Sequence, residues 1–526
     1  GAGRGGSHGV RGAAAGVCGG GAGRGHPPVK RRDFLKVGAA GAALATSGCG
    51  KIRAKLGDWL GDGGVPDAFS VAAGAETDDR VHLLNRAAFG PWPGDLERVA
   101  KLGTEGWIEE QLNPAGINDI ACTMRTRIFE SLHMKPGDMY EFKKKVVEEE
   151  LTRYTVLQAV YSKRQLYEVM VEFWSDHFNI HIGKADCAWL LAPDQRDTIR
   201  AHAFGKFRDL VRTSALSPAM LVYLDGRENR KRKPDEMPNE NYARELLELH
   251  TMGVHGGYTQ RDVMEVARCL TGWTCRKENQ LRKARVEFHA GSHDDGEKTV
   301  LGRTIPAGLK EQDLERVLDI VCAHPSTALY IAEKLCRRFI EDTPPPSAVA
   351  KVAKAFTDSG GDIRATLRAT LSTGEFRAAK GRKFKRPFRF VVSALRAAGA
   401  ETEARPALLK YLQSMGQAPF QHPTPDGYPD EQGPWLGTLM WRWNFALALT
   451  SNAIGGTTVD TAGLAKAMGA PAGSEPEWFL RHALGREGLP MEKETVREFA
   501  ASASDPWHRR AQALGLVLAS PAFQKC

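Results

Sequence analysis

In the segment YEVMVEFWSDHFNIH, residues 167–181, two histidines, His177 and His181, stand four residues apart. Read as a helix at about 100° per residue, the segment gathers Met170, Val171, Phe173, Trp174, Phe178 and Ile180 on one broad apolar face. Both histidines fall in the middle of that face, while Glu172, Asp176 and Asn179 point the other way. Imidazoles at i and i+4 on an inward face have the spacing that lets both reach one metal ion. The competing reading is a pair of buried histidines, each bonded to a carbonyl or carboxylate, or a helix that ends before His181. No third ligand can be placed from the sequence.

A second constellation lies in NENYARELLELHTMGVHGGYTQRDV, residues 239–263. If residues 241–250 are helical, Asn241, Glu245 and Glu248 share a stripe that borders the apolar one formed by Tyr242, Leu246 and Leu249. Glu245 and Glu248, with Arg244 beside them, are candidate catalytic residues: two neighbouring carboxyls can hold a cation, or one can raise the pKa of the other and make it a general acid. Local pairing accounts for the same charges, with Asn239 or Asn241 as N-cap and Arg244 bonded to Glu248 one turn on. His289, His293, Asp294 and Asp295 gather in FHAGSHDDGEKTVLG, which lacks the alternating oxygen ligands of a calcium loop. No phosphate loop, dinucleotide fingerprint, GxSxG elbow or HExxH helix is present.

The elements that position these residues are mainly helices. Helical periodicity covers 93–102, 136–162, 163–181, 194–203, 207–214, 239–251, 259–271, 311–323, 325–339, 347–359 and 363–371, and Asp78 or Asp79 caps a further helix stopped by Gly90-Pro91. Strand signals are few. KARVEFHAG and KTVLGRTI, within 284–304, flank a polar turn and predict one small β-hairpin. The fold class is therefore mainly α, a multi-helical globular body with long functional loops. Two loops stand out: DGRENRKRKPDEMP, 225–238, a solvated segment or lid, and the proline-rich 417–435, too long for a connector.

Across 526 residues, 72 basic and 63 acidic side chains are interspersed, for a formal net charge of +9. That distribution points away from a dedicated nucleic-acid binder. The nine cysteines form no CxxC, and Cys269 with Cys275 or Cys322 with Cys336 are the pairs an oxidising compartment would allow.

The N-terminus reads as an address. Residues 1–29 are Gly/Ala/Arg-rich and read as disordered or as sequence upstream of the true start. In KRRDFLKVGAAGAALATSGCGK, the pair Arg31-Arg32 precedes Phe-Leu-Lys and a short apolar run, so residues 30–49 resemble a twin-arginine export signal. TSGC resembles a lipobox that would lipidate Cys49; cleavage after the ALA of residues 43–45 is the alternative. Residues 50–77 read as a linker and 78–526 as one helical domain.

From HLLNRAAFGPWPGDLERV through MVEFWSDHFNI, SPAMLVYLDG, the 239–274 block ending in LTGWT, HDDGEKTVLG and HPSTALYIAEKLCRRFI to MWRWNFALAL, the chain resembles the DUF1800 family of exported bacterial proteins. Ser175 stands where that family often has a histidine, and Gly427-Tyr428 where it has Gly-Trp. The resemblance implies a helical fold, export by the twin-arginine machinery to the periplasm or to a lipid anchor in the cell envelope, and genomic pairing with a second exported, alkaline-phosphatase-like family. It implies no reaction. The expectation is a pocket between the 167–181 and 239–250 helices, where His177 with or without His181 and Glu245 or Glu248 would bind a metal ion or haem or act as acid and base. The alternative is a non-catalytic scaffold that docks the co-exported partner.

Overall fold

The computed structural model describes residues 49–233, 235–275 and 283–526. The export signal, with Arg31 and Arg32, falls outside them, and Cys49 opens the first described helix, Cys49–Gly61. No helix among the described residues is long and apolar enough to cross a membrane. The expected linker is thus helical over its first part. Asp58 is drawn to Arg125 (2.7 Å), and the chain after the helix is pinned by the Trp92 indole donating to the Gly64 carbonyl (2.8 Å).

From there, caps and apolar stripes set the helices. α1 (Asp79–Ala87) starts where the Asp78 carboxylate accepts from the Arg80 backbone N–H (2.8 Å). α2 (Lys144–Tyr161) is followed by α3 (Gln165–His177), then α4 (Asn241–Glu245), which runs on into a π-helical turn, Leu246–Thr251. α5 (Gln260–Cys269) has the expected cap: Thr259 and Asp262 exchange side chain-to-backbone bonds. α6 (Pro325–Phe339) matches its predicted bounds. Later in the chain come α7 (Pro387–Ala397), α8 (Leu439–Thr450) and α9 (Pro506–Ala519), among other helices. The helical periodicity read above ends at 371, short of all three: α7 carries Arg389, Ser393 and Arg396 at helical spacing, whereas α8 has tryptophans on its exposed face and shows no clean polar stripe.

The fold is mainly α, with three two-stranded antiparallel sheets among the described residues. The expected single hairpin is two hairpins instead. β1 (Trp273–Cys275) pairs with β2 (Val286–Phe288), and β3 (Lys298–Val300) pairs with β4 (Arg303–Ile305). The reason is local: Leu301 (φ 50°) and Gly302 (φ 74°) make a two-residue turn with both φ values positive, which folds 298–305 onto itself. β5 (Glu401–Thr402) and β6 (Thr457–Thr458) form the third pair. Cys122, Cys187, Cys269, Cys275, Cys322, Cys336 and Cys526 are free thiols.

α3 runs through the core. Its Trp174 is fully buried against Phe173, Phe178 and Phe207, with the indole N–H bonded to the Ala203 carbonyl (3.2 Å). Trp174→Ala removes that packing and leaves a cavity, so chemical denaturation should show a loss of ~3–5 kcal/mol; a loss under ~1 kcal/mol would mean α3 is not anchored this way.

Candidate functional site: a buried charged cluster under the proline-rich loop

Glu168, Glu172 and Asp176 recur every four residues along α3, on the side opposite the apolar face. That side is largely shielded from solvent, with Glu168 buried and Glu172 and Asp176 partly so. Glu168 takes both oxygens to Arg200 (2.8 and 2.7 Å). Glu172 bonds Arg386 through one oxygen and Arg338 through the other. Asp176 accepts from Arg386 (2.8 Å). Asp430, from the proline-rich loop, joins the same cations at 3.4 Å (Arg338), 3.5 Å (Arg386) and 3.7 Å (Lys383). Lys383 also reaches Asp342 (2.8 Å). Acids and bases thus alternate, as they must in a low-dielectric interior where an unpaired charge costs several kcal/mol.

The loop at 417–435 closes over this cluster, which answers why it is long. The Asn179 amide donates to the Thr424 (2.7 Å) and His422 (3.1 Å) carbonyls, and the Tyr223 hydroxyl to that of Pro423 (2.9 Å). Arg386 and Lys383 bond the Tyr428 and Asp430 carbonyls (3.3 and 2.8 Å). Gly427 has φ 74°, and a Cβ there would lie 2.1 Å from the Asp176 carbonyl oxygen. Only glycine lets the loop come this close to the end of α3.

Under the loop a narrow cavity of about 40 Å³ has Glu168, Glu172, Ser175, Asp176 and Asn179 on one wall. Phe89, Val171, Phe388 and Phe420 make it largely apolar elsewhere. It has room for a few water molecules. Burial and the neighbouring Asp430 raise the Asp176 carboxyl above the ordinary range, with Arg386 opposing them. Asp176 is a candidate acid that can hold or release a proton at the cavity wall.

Two π-helical turns aim side chains at α3. Gln195–Arg200 supplies Arg200 for Glu168 and Gln195, whose amide oxygen accepts from the Ser175 hydroxyl (2.8 Å). Leu246–Thr251 supplies His250. π-Helical turns occur preferentially at functional sites.

The predicted residues fare unequally. α3 ends at His177, and Phe178 (φ −104°, ψ 51°) turns the chain away, so His181 lies outside the helix and does not share its face. The His177 Nε2–H donates to the His250 carbonyl (3.0 Å), and its Nδ1 faces the Lys334 amine (3.0 Å). Both nitrogens are engaged, so the expected His177/His181 ligand pair is not formed. Among the described residues no group of three or more His, Cys, Asp or Glu side chains is placed to hold a metal ion. Arg244 bonds Glu240 (2.8 Å) and Glu248 (3.4 Å), the local pairing that the sequence allows. Glu245 is half-buried, and desolvation and then Glu248 raise its pKa, but it lies outside the cavity wall. His293 is wired to Asp313 (3.2 Å) and Asp294 to Arg268 (2.8 Å), which makes that turn a structural knot.

Sequence reasoning passed over Glu168, Glu172, Arg200, His250, Lys334, Arg338, Arg386 and Asp430. The signal for the first two was present as acids at i, i+4 and i+8. Lys334 is lowered to about 8, first by desolvation, with Asp176 and Asp430 pulling it back. His250 is fully buried, neither ring nitrogen has a hydrogen-bond partner, and burial and then Lys334 lower it to about 3.

The sequence profile of one family, described as Protein of unknown function (DUF1800), matches residues 82–525. No curated protein and no solved structure matches the chain.

His250 gives a pH prediction with a definite sign. Its folded pKa of about 3 lies below the unfolded value near 6.5, so its share of stability is complete above about pH 6.5 and is lost as pH falls toward 3. His250→Leu removes this burden. The stability lost between pH 6.5 and 5 should be smaller in the variant by ~2 kcal/mol, read from urea unfolding at the two pH values. Equal slopes would show that His250 is not buried neutral.

Proposed function

We propose, for a chain that belongs to the DUF1800 family across residues 82–525, that it is an exported cell-envelope protein performing acid–base chemistry on a small substrate at the α3 cavity. Asp176 is the proton donor or acceptor. Arg386 fixes its orientation, and Glu172, held between Arg338 and Arg386, balances the cations. Phe89, Phe388 and Phe420 would contact the apolar body of the substrate, and Asn179 and Ser175 its polar end. His177, with its nitrogens engaged by Lys334 and the His250 carbonyl, positions the end of α3.

The observation that carries this reading is a carboxyl with a raised pKa on the wall of a mainly apolar cavity, held by Arg386 on a helix face whose other acids are also paired with arginine. A carboxyl whose pKa is raised by burial in a cleft is a candidate for acid–base work. A cavity this narrow requires the 417–435 loop to lift for entry, as lids do in many enzymes.

A second reading has its own observation. Leu436, Met440, Trp443 and Leu447 form an exposed apolar stripe along and just before α8, at helical spacing. Such a stripe suits a scaffold that docks a co-exported protein.

The test combines spectroscopy and turnover. Infrared titration of the protein and of Asp176→Asn should reveal one carboxyl that titrates above the ordinary ~3.9 and vanishes in the variant. Hydrolysis or isomerisation in a panel of small esters, amides and glycosides should disappear with it while the unfolding midpoint holds. An Asp176 that titrates normally, together with turnover unchanged in Asp176→Asn, would sink the acid–base reading. If instead Trp443→Glu abolishes co-purification of the paired exported protein while Asp176→Asn is silent, the scaffold reading stands.

A further inference from the structure

The segment that the sequence reads as a linker supplies one wall of a cleft of about 510 Å³, whose other walls include Trp92, Trp107 and Lys163. That volume is ordinary for a ligand site. None of its lining residues belongs to the α3 cavity.

The walls are held by bonds that occupy several of the charges. Asp58 is bonded to Arg125 (2.7 Å), Asp95 to Arg396 (2.9 Å), and Arg98 reaches both oxygens of Glu110 (2.8 Å each). The Trp92 indole donates to the Gly64 carbonyl (2.8 Å), and the Lys163 amine to that of Gly61 (2.6 Å). These contacts fix the shape of the cleft and leave Asp58, Asp95 and Arg98 neutralised.

Three side chains in the same lining keep free surface. Asp62, exposed just after the Cys49–Gly61 helix, has no hydrogen bond and no ion pair among the described residues. The Lys163 amine gives one of its three N–H groups to Gly61. Asp62 acts on it through space, without a bond. Trp59 is 62% exposed and makes no ring contact among the described residues. With Trp92 half-buried and Trp107 buried, it makes three tryptophans around one opening.

We infer that this cleft binds a neutral oligosaccharide, one ring face lying on Trp59 and hydroxyls bridging Asp62 and Lys163. The signs of the two uncommitted charges decide the class. An anionic ligand would meet the Asp62 carboxylate, and a cationic one the Lys163 amine, so a ligand of either charge is repelled by half of what is free. A sugar hydroxyl donates to the first and accepts from the second, while the C–H face of the ring covers indole surface. The site is independent of the reaction proposed at α3.

Isothermal titration of the full chain with cellotetraose, maltotetraose and chitotetraose tests the inference, with a galacturonic acid tetramer and choline beside them as the anionic and cationic alternatives. At least one neutral tetramer should bind, more tightly than either charged probe. Trp59→Ala should weaken it by about tenfold, the loss of a stacking contact worth ~1.4 kcal/mol. Asp62→Asn should weaken it by about threefold or more while leaving the unfolding midpoint in place, because asparagine also accepts the left-handed backbone there (φ 47°) and no bond is lost. If Trp59→Ala fails to fold, Asp62→Asn still decides. No binding of any neutral tetramer, binding indifferent to both substitutions, or tighter binding of the galacturonic acid tetramer or of choline would each overturn it.

Discussion

Burying three carboxylates on one side of a core helix is the constraint from which the rest of this architecture follows. Glu168, Glu172 and Asp176 cannot be left unpaired in a low-dielectric interior, and no single neighbour can satisfy all three. Arg200 arrives from a π-helical turn, Arg338 from α6 and Arg386 from the entry to α7. Each of those cations then needs its own balance, which draws in Asp430 from a loop far along the chain. Segments that are distant in sequence are thus tied to one another through a helix face that an amphipathic reading would assign to water.

This explains why the proline-rich loop is ordered. Its carbonyls are the remaining acceptors for Asn179, Tyr223, Lys383 and Arg386, and Gly427 lets its backbone settle on the end of α3. Cluster and cover are one unit: a change that frees an arginine also frees the loop. Burial and Asp430 keep the Asp176 pKa raised at the cavity wall against the pull of Arg386, which Asp176 shares with Glu172.

Much of the fold was legible in the residues. Asp78 as an N-cap, the Thr259/Asp262 capping box and the bounds of α6 follow from local chemistry, and the structure has them. The site was less so, for a physical reason. Hydrophobic periodicity tells which face of a helix is apolar, but not whether the polar face meets water or a set of counter-ions supplied by other elements. Glu172 and Asp176 were read as outward for that reason. The His177/His181 spacing misled in the opposite way, since i and i+4 means one face only while the helix continues, and α3 stops at His177. In 239–251 the π-helical turn shifts the inward register, so Leu247 and His250 are buried where an unbroken α-helix would bury Leu249. In α7 the arginine stripe that periodicity would send to solvent, Arg389 and Arg396, is buried and bonded to backbone carbonyls, while α8 shows little contrast because tryptophans lie on its exposed face.

A π-helical turn holds one residue more than the α-helix it interrupts. The stretch Leu246–Thr251 therefore behaves as a helix with a spare link, and its length, rather than its composition, aims His250 at His177. Loss of any one residue there would let the turn relax to an ordinary helix, leaving the flanking segments near their present phase but re-aiming the side chains within the turn. Conservative replacements within the stretch would be absorbed, whereas a shortening by a single codon would move His250 off its neighbour while leaving helix content almost unchanged. The site is guarded by reading-frame arithmetic as much as by side-chain identity.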